Sequence, residues 1–211
     1  MDTLATVFRH GGLPIYINLC VSVVVIATII DRIIALFFQY RINTDIFMRA
    51  IVNLVKNGEV DHAVRICEST KALVAKVCRA GLVKANRSTI EISSAIDEEL
   101  LRVTPLLERR ISTLWSLANI ATLIGLIGTI YGLIRSFSGL ASVSPEQKAA
   151  FLARGISEAL NNTAVGLAIA VICMIGHLVL SSTSKKMLSD LETSSVTLEN
   201  FLILRQKTEN K

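Results

Sequence analysis

Three long apolar runs limit what this chain can become: Ile15 to Phe38, Leu114 to Ile134, and Ala159 to Leu180. Each is long enough to cross the roughly 30 Å hydrocarbon core of a bilayer, which takes about 20 helical residues. In hydrocarbon every backbone N–H and C=O must find a partner within the protein, so spanning segments are restricted to helices and closed barrels. The chain shows no sustained alternation of period two and has only 3 Pro and 11 Gly in 211 residues, which selects helices. With 52% hydrophobic and 18% charged residues and a mean hydropathy of +0.55, the composition excludes a water-soluble enzyme.

The placement of Lys and Arg orients the three spans. Residues 39–112 hold twelve basic side chains, whereas only Arg9 precedes Pro14, and Lys185 and Lys186 open the tail after the third span. The basic segments belong on the cytoplasmic side, so the chain is expected to run N-outside to C-inside. The expected order is an outer N-terminus (1–14), a first span (15–38), a helical cytoplasmic loop (39–112), a second span (113–140), a short outer loop (141–155), a third span (156–180) and a helical cytoplasmic tail (181–211). The first span lacks a small-x-small cleavage site and is too long for a signal-peptide core, which makes it an uncleaved anchor. Its Asp31–Arg32 pair can form an ion pair or snorkel to the interface. The formal charge of +5 then reflects topology and contact with anionic lipids, not binding to nucleic acid.

Outside the spans, Thr44 is expected to cap a helix that ends at Gly58, followed by short helices over Glu59–Glu68 and Ala72–Ala80, the latter stopped by Gly81. Ser88-Thr89-Ile90-Glu91 reads as a capping box. Beyond it only Pro105 interrupts a helical pattern that runs into the second span, so Thr89 to Leu140 is expected to form one rod of roughly 75 Å at 1.5 Å per residue.

Polar residues within the spans are candidates for function. Thr122, Thr129 and Ser136 are spaced by seven and share one helix face. Gly125, Gly128 and Gly132 lie among them, and Gly166 lies in the third span, as expected of a close helix contact. In the third span Thr163 shares a face with Gly166, Ala170, Cys173 and His177, while Glu158 and Asn162 stand one turn apart. Counted from the outer loop, Thr129 and Thr163 fall within a few ångströms of the same depth. Two readings stand on the residues alone: the hydroxyls bond the carbonyl four residues back and merely pack, or they line a polar track. Glu158 is either the ion-pair partner of Arg135 or Arg154, or a carboxylate at an ion entrance. His177, near the inner end, suits helix packing better than proton relay.

The segments Asn119-Ile-Ala-Thr-Leu-Ile-Gly-Leu-Ile-Gly-Thr-Ile-Tyr-Gly-Leu-Ile-Arg-Ser-Phe137 and Ile156-Ser-Glu-Ala-Leu-Asn-Asn-Thr-Ala-Val-Gly-Leu-Ala-Ile-Ala170 resemble the MotA/TolQ/ExbB proton-channel family, and its TolQ/ExbB branch in particular. Some members carry a proline where this chain has Thr122, so no role of that proline transfers. Three spans also do not match the four of flagellar stators. The resemblance implies an all-α membrane protein that assembles as a pentameric ring in the bacterial inner membrane. The ring would surround a small single-span partner like ExbD or TolR that supplies an intramembrane aspartate, with a TonB- or TolA-like effector beyond. It also implies that Thr129 and Thr163 face that aspartate and that Glu158 lies at the outer end; Thr122 and Asn162, on the same polar faces by their spacing, are further candidates for the pathway.

Threonine does not titrate in a useful range, so these hydroxyls can orient water or bond a carrier without carrying the proton themselves. A complete relay therefore needs an acid from another chain. The competing class is a non-conducting helical scaffold, which has no need of hydroxyls aligned at one depth. No paired carboxylates, nucleophile elbow, phosphate loop or zinc-binding HExxH motif supports an enzyme, and no cofactor is expected. Cys20, Cys67, Cys78 and Cys173 suit neither a metal site nor a disulfide framework and read as small packing residues.

Overall fold

The computed structural model describes residues 12–40 and 42–209. The expected outer segment 1–14 therefore lies almost entirely outside the described residues, as do Arg41 and the last two residues of the tail.

Every regular element among the described residues is helical. The first, α1 (Gly12–Ile33), passes into a π-helical turn over Ile34–Gln39. Next come α2 (Thr44–Lys56), α3 (Val60–Ser69), α4 (Leu73–Val83) and α5 (Thr89–Glu108). Then follow α6 (Ile111–Gly139), two short 3₁₀ turns, and α7, which runs unbroken from Lys148 to Glu209. Among the described residues, three helical stretches are long and apolar enough to cross a membrane, Pro14–Phe37, Thr89–Ser142 and Pro145–Gln206, one on each of the three apolar runs.

The chain divides into two compact units. One comprises the described residues up to Asp31 together with Arg110–Val179, and the other comprises Arg32–Arg109 with the remainder of α7. In the first unit, Val25 of α1, Ala118 and Ala121 of α6, and Ile169, Ala170 and Cys173 of α7 form a buried core, flanked by Val21, Ile29, Leu117 and Val165. The outward faces are also apolar, with Val23, Ile26, Leu126, Ile127, Ile130, Val171, Ile172 and Leu178 all exposed. An apolar exterior around an apolar core is the pattern of a bundle solvated by lipid.

In the second unit the last part of α7 packs on α4 and α5. A Cβ on Gly81 would lie 2.8 Å from Ile96 Cδ1 and 3.5 Å from Leu198 Cδ2. Gln206 Nε2 donates to the carbonyls of Ala85, at 2.9 Å, and Arg87. Lys56 Nζ sits 5.8 Å from the centre of the Phe201 ring, a cation–π contact.

Local chemistry differs from the sequence expectations at four places. The cap of α2 is Asn43, whose side chain accepts from Ile46 N at 3.3 Å, and Thr44 is the first helical residue. The chain turns after α2 through Gly58 at φ +82°, as expected of a residue without a Cβ. Gly81 does not end a helix: α4 continues to Val83, and Gly81 is instead the bare position that lets Ile96 approach. The single rod from Thr89 to Leu140 is broken at Arg109 (ψ 131°) and Arg110 (φ 60°). Pro105 itself stays inside α5. The end of α5 is closed by Arg32, 5% exposed, which donates to the carbonyls of Leu106 at 3.4 Å and Arg109 at 3.2 Å. Arg32 thus serves as a C-terminal cap inside the protein and does not snorkel. In the first unit Asp31 accepts from Arg110 at 3.2 Å.

Candidate functional site: the hydroxyl pair between α6 and α7

The contact between α6 and α7 is antiparallel and made by residues with little or no side chain. Cβ atoms built on the glycines show how close it is. A Cβ on Gly166 would lie 2.6 Å from Ala121 O, one on Gly125 3.2 Å from Thr163 Cα, one on Gly128 2.8 Å from Asn162 Cβ, and one on Gly132 2.8 Å from Ala159 Cβ. Residue numbers rise on one helix as they fall on the other, so the four glycines expected to serve close packing lie along one seam. Such approach is the usual device for joining helices in lipid, where burial alone gives no driving force between them.

That closeness brings the threonines together. The Thr129 and Thr163 hydroxyls share a hydrogen bond across the seam. Thr129 Oγ1 also lies 3.2 Å from Gly125 O and 3.2 Å from Ala159 O, and Thr163 Oγ1 lies 3.0 Å from Gly125 O. Each hydroxyl has one proton and two lone pairs. Two protons are thus shared among more acceptors than they can serve, and the donors can rotate between them. The hydroxyl oxygens keep lone pairs able to accept from an outside donor.

The other expected site residues are placed as follows. Asn162 is buried; its Nδ2 donates to Gly128 O at 3.3 Å, and a Cβ built on Gly128 would lie 3.0 Å from Pro14 Cβ of α1. Thr122 Oγ1 donates to Ala118 O at 3.0 Å within its own helix. Ser136 likewise donates to Gly132 O at 2.7 Å. Glu158 is half-exposed and pairs with Arg154 Nε at 3.0 Å, so of the two expected partners the structure supplies Arg154. His177 Nδ1 lies 3.0 Å from Ile111 O, and its ring centre is 6.0 Å from that of Trp115, a packing contact at the start of α6. One residue escaped the sequence analysis: Asn18 of α1, which is buried at 1% exposure. An asparagine within an anchor run was the available signal.

The sequence profile of the family described as "MotA/TolQ/ExbB proton channel family" matches residues 68–193. The chain belongs to the MotA/TolQ/ExbB proton channel family. Its relatives place it on the TolQ/ExbB-like branch. It is 27% identical over 172 residues to a biopolymer transport protein ExbB homolog of Methanothermobacter thermautotrophicus, covering 82% of this chain and 61% of that one. It is 26% identical over 167 residues to an ExbB-like biopolymer transport protein of Synechocystis, covering 78% of this chain and 79% of the relative. A third relative, the Tol-Pal system protein TolQ of Pseudomonas aeruginosa, is 32% identical over 97 residues, covering 46% of this chain and 42% of TolQ. The match thus spans less than two thirds of the Methanothermobacter relative's length. The matched residues 68–193 include the whole α6–α7 seam, so the hydroxyl pair falls inside the part that defines this MotA/TolQ/ExbB member.

Proposed function

We propose that this chain is the ring-forming subunit of a proton-driven motor in the bacterial inner membrane. In this reading five copies surround the spans of a small ExbD- or TolR-like partner, with the N-terminus outside and the tail inside. The observation that carries it is the shared hydrogen bond between Thr129 and Thr163, within spans that have no carboxylate at that depth. A hydroxyl pair with spare lone pairs can receive a protonated carboxyl and release it without itself changing charge. The partner's aspartate moves the proton, and the hydroxyls are the wall it works against. Glu158, held by its ion pair with Arg154 at the outer end of the span, is the carboxylate at the ion entrance. Thr122 extends the hydroxyl face inward, and Asn162 holds the Gly128 carbonyl beside Thr129. The work done, through a TonB- or TolA-like effector, lies in the envelope, as import, envelope maintenance or gliding.

The test replaces Thr129 or Thr163 by Val, which keeps the shape and removes the hydroxyl. Each variant is expected to assemble with its single-span partner at wild-type yield. Each should lose proton-linked work by more than tenfold, read as proton-driven uptake or motility in a strain lacking the native subunit. Full activity in both variants would leave a non-conducting scaffold as the better description.

A further inference from the structure

Two buried carbonyl oxygens in the first unit have no hydrogen-bond partner among the described residues: Asn18 Oδ1 on α1 and Asn162 Oδ1 on α7. The residues are 1% and 4% exposed. The Asn162 amide is oriented by its own Nδ2, which donates to Gly128 O at 3.3 Å and thereby leaves its oxygen as the orphan. The two side chains belong to one neighbourhood. A Cβ on Gly128 would lie 2.8 Å from Asn162 Cβ and 3.0 Å from Pro14 Cβ, so α1 and α7 close over the same point of α6. Asn18 stands one turn beyond Pro14 on the same face of α1, about 5–6 Å along the axis.

A buried carbonyl without a donor is unfavourable in an apolar interior, and native proteins seldom keep one. Two such oxygens on helices that meet at Gly128 can both be satisfied by one ligand that donates twice. Among small species, water does so; a metal cation would need several more oxygens than these two. We propose that the space between Asn18 and Asn162 is a binding site for a buried water, which donates to both amide oxygens and joins α1 to the α6–α7 seam. The site holds α1 by polar contact and makes it more than an anchor. It also backs the amide that grips Gly128 O, next to Thr129. It follows from the packing of the first unit and does not depend on the motor reading.

Radiolytic footprinting of the full chain in lipid nanodiscs, in ¹⁸O-labelled water, tests the site directly. Bound water should oxidise the buried peptides around Asn18 and Asn162 with ¹⁸O, well above the level of the lipid-facing stretch around Ile172. Replacing Asn18 by Leu should reduce that labelling at Asn162 at least threefold. The same variant should lower the thermal midpoint, and Asn18→Ser should recover part of the loss. An unlabelled wild-type pair, or a midpoint that rises in Asn18→Leu, would mean a dry site and overturn the proposal. A midpoint that shifts when Na⁺ replaces choline at fixed ionic strength would assign the site to a cation instead and overturn it equally.

Discussion

A hydroxyl proton can point at only one oxygen at a time, and Thr129 has three within reach, on Gly125, Ala159 and Thr163. Spacing by seven puts Thr122, Thr129 and Ser136 on one face, yet only Thr129 finds a hydroxyl on the other helix. Thr122 and Ser136 bond back within α6 and Thr129 reaches Gly125 O in the same way, so back-bonding describes all three and Thr129 alone adds a partner on α7. What the spacing could not reveal was which side of α6 would meet α7, because a helix with glycines and hydroxyls interleaved offers two packable faces. Asn18 was illegible for a related reason: a single amide in an apolar run carries no period to place it. The cysteines offer a residue-scale prediction in the second unit. Burial pushes the Cys67 thiol from 9.0 up to about 12, with Arg79 pulling the other way, and burial raises Cys78 as well. At pH 8 a rise of three units leaves about a thousandfold less thiolate, the reactive form. Alkylation of Cys67 by iodoacetamide in the folded protein should therefore be roughly 10³ slower than in urea, followed by intact mass; rates within tenfold would contradict the burial. Because the folded value is raised, the thiol is neutral in both states below pH 9 and its contribution is intact there. Stability should fall as pH climbs from about 9 toward 12, where only the unfolded chain ionises freely.

Glycines that look alike in sequence have opposite structural duties, and their substitutions should separate them. On Gly166 a methyl would stand 2.6 Å from Ala121 O and 3.0 Å from Gly125 Cα, both backbone atoms that cannot swing aside. Gly166→Ala should therefore push α6 and α7 apart and cost about 1–3 kcal/mol, the usual range for an overfilled contact. On Gly58 a methyl would meet nothing within 4 Å, but the backbone is at φ +82°. Gly58→Ala should cost about 1 kcal/mol through conformation alone and leave the seam intact. Thermal midpoints measured with Thr129→Val as a double-mutant cycle distinguish the two: Gly166→Ala should be strongly non-additive with it, Gly58→Ala additive. Additivity at Gly166 would refute the shared seam. Periodicity sufficed to find the helices, since the apolar runs are long and strand signals absent. It did not locate the breaks. Gly81 was read as a stop because glycine favours helix ends, but the need to seat Ile96 outweighed that tendency. The joint at Arg109–Arg110 was missed because neither residue is a breaker; the carbonyls there are satisfied by Arg32, 77 residues away in sequence from Arg109, and no local pattern carries that information.

Three crossings put the two ends of a chain on opposite sides of a membrane, so one measured side fixes all the others. The expected orientation rests on charge: residues 39–112 carry twelve Lys and Arg, and the tail after the third span opens with Lys185 and Lys186. Translocating such segments is disfavoured, whereas the loop at 141–155 has only Lys148 and Arg154. The chain that links α4 to α5 and the chain that links α6 to α7 should therefore face different compartments. Asn86 and Ser144 mark these two links, and both are exposed. In a background with all four native cysteines replaced by Ala, Ser144→Cys should react with a membrane-impermeant maleimide on intact spheroplasts. Asn86→Cys should react only after permeabilisation, with at least a tenfold contrast between the two. The reverse pattern would turn the molecule over and place Glu158 at the inner end of its span, where a carboxylate could not meet a proton entering from outside. Equal labelling of both positions before permeabilisation would be worse for the reading, because no odd number of crossings between them permits it.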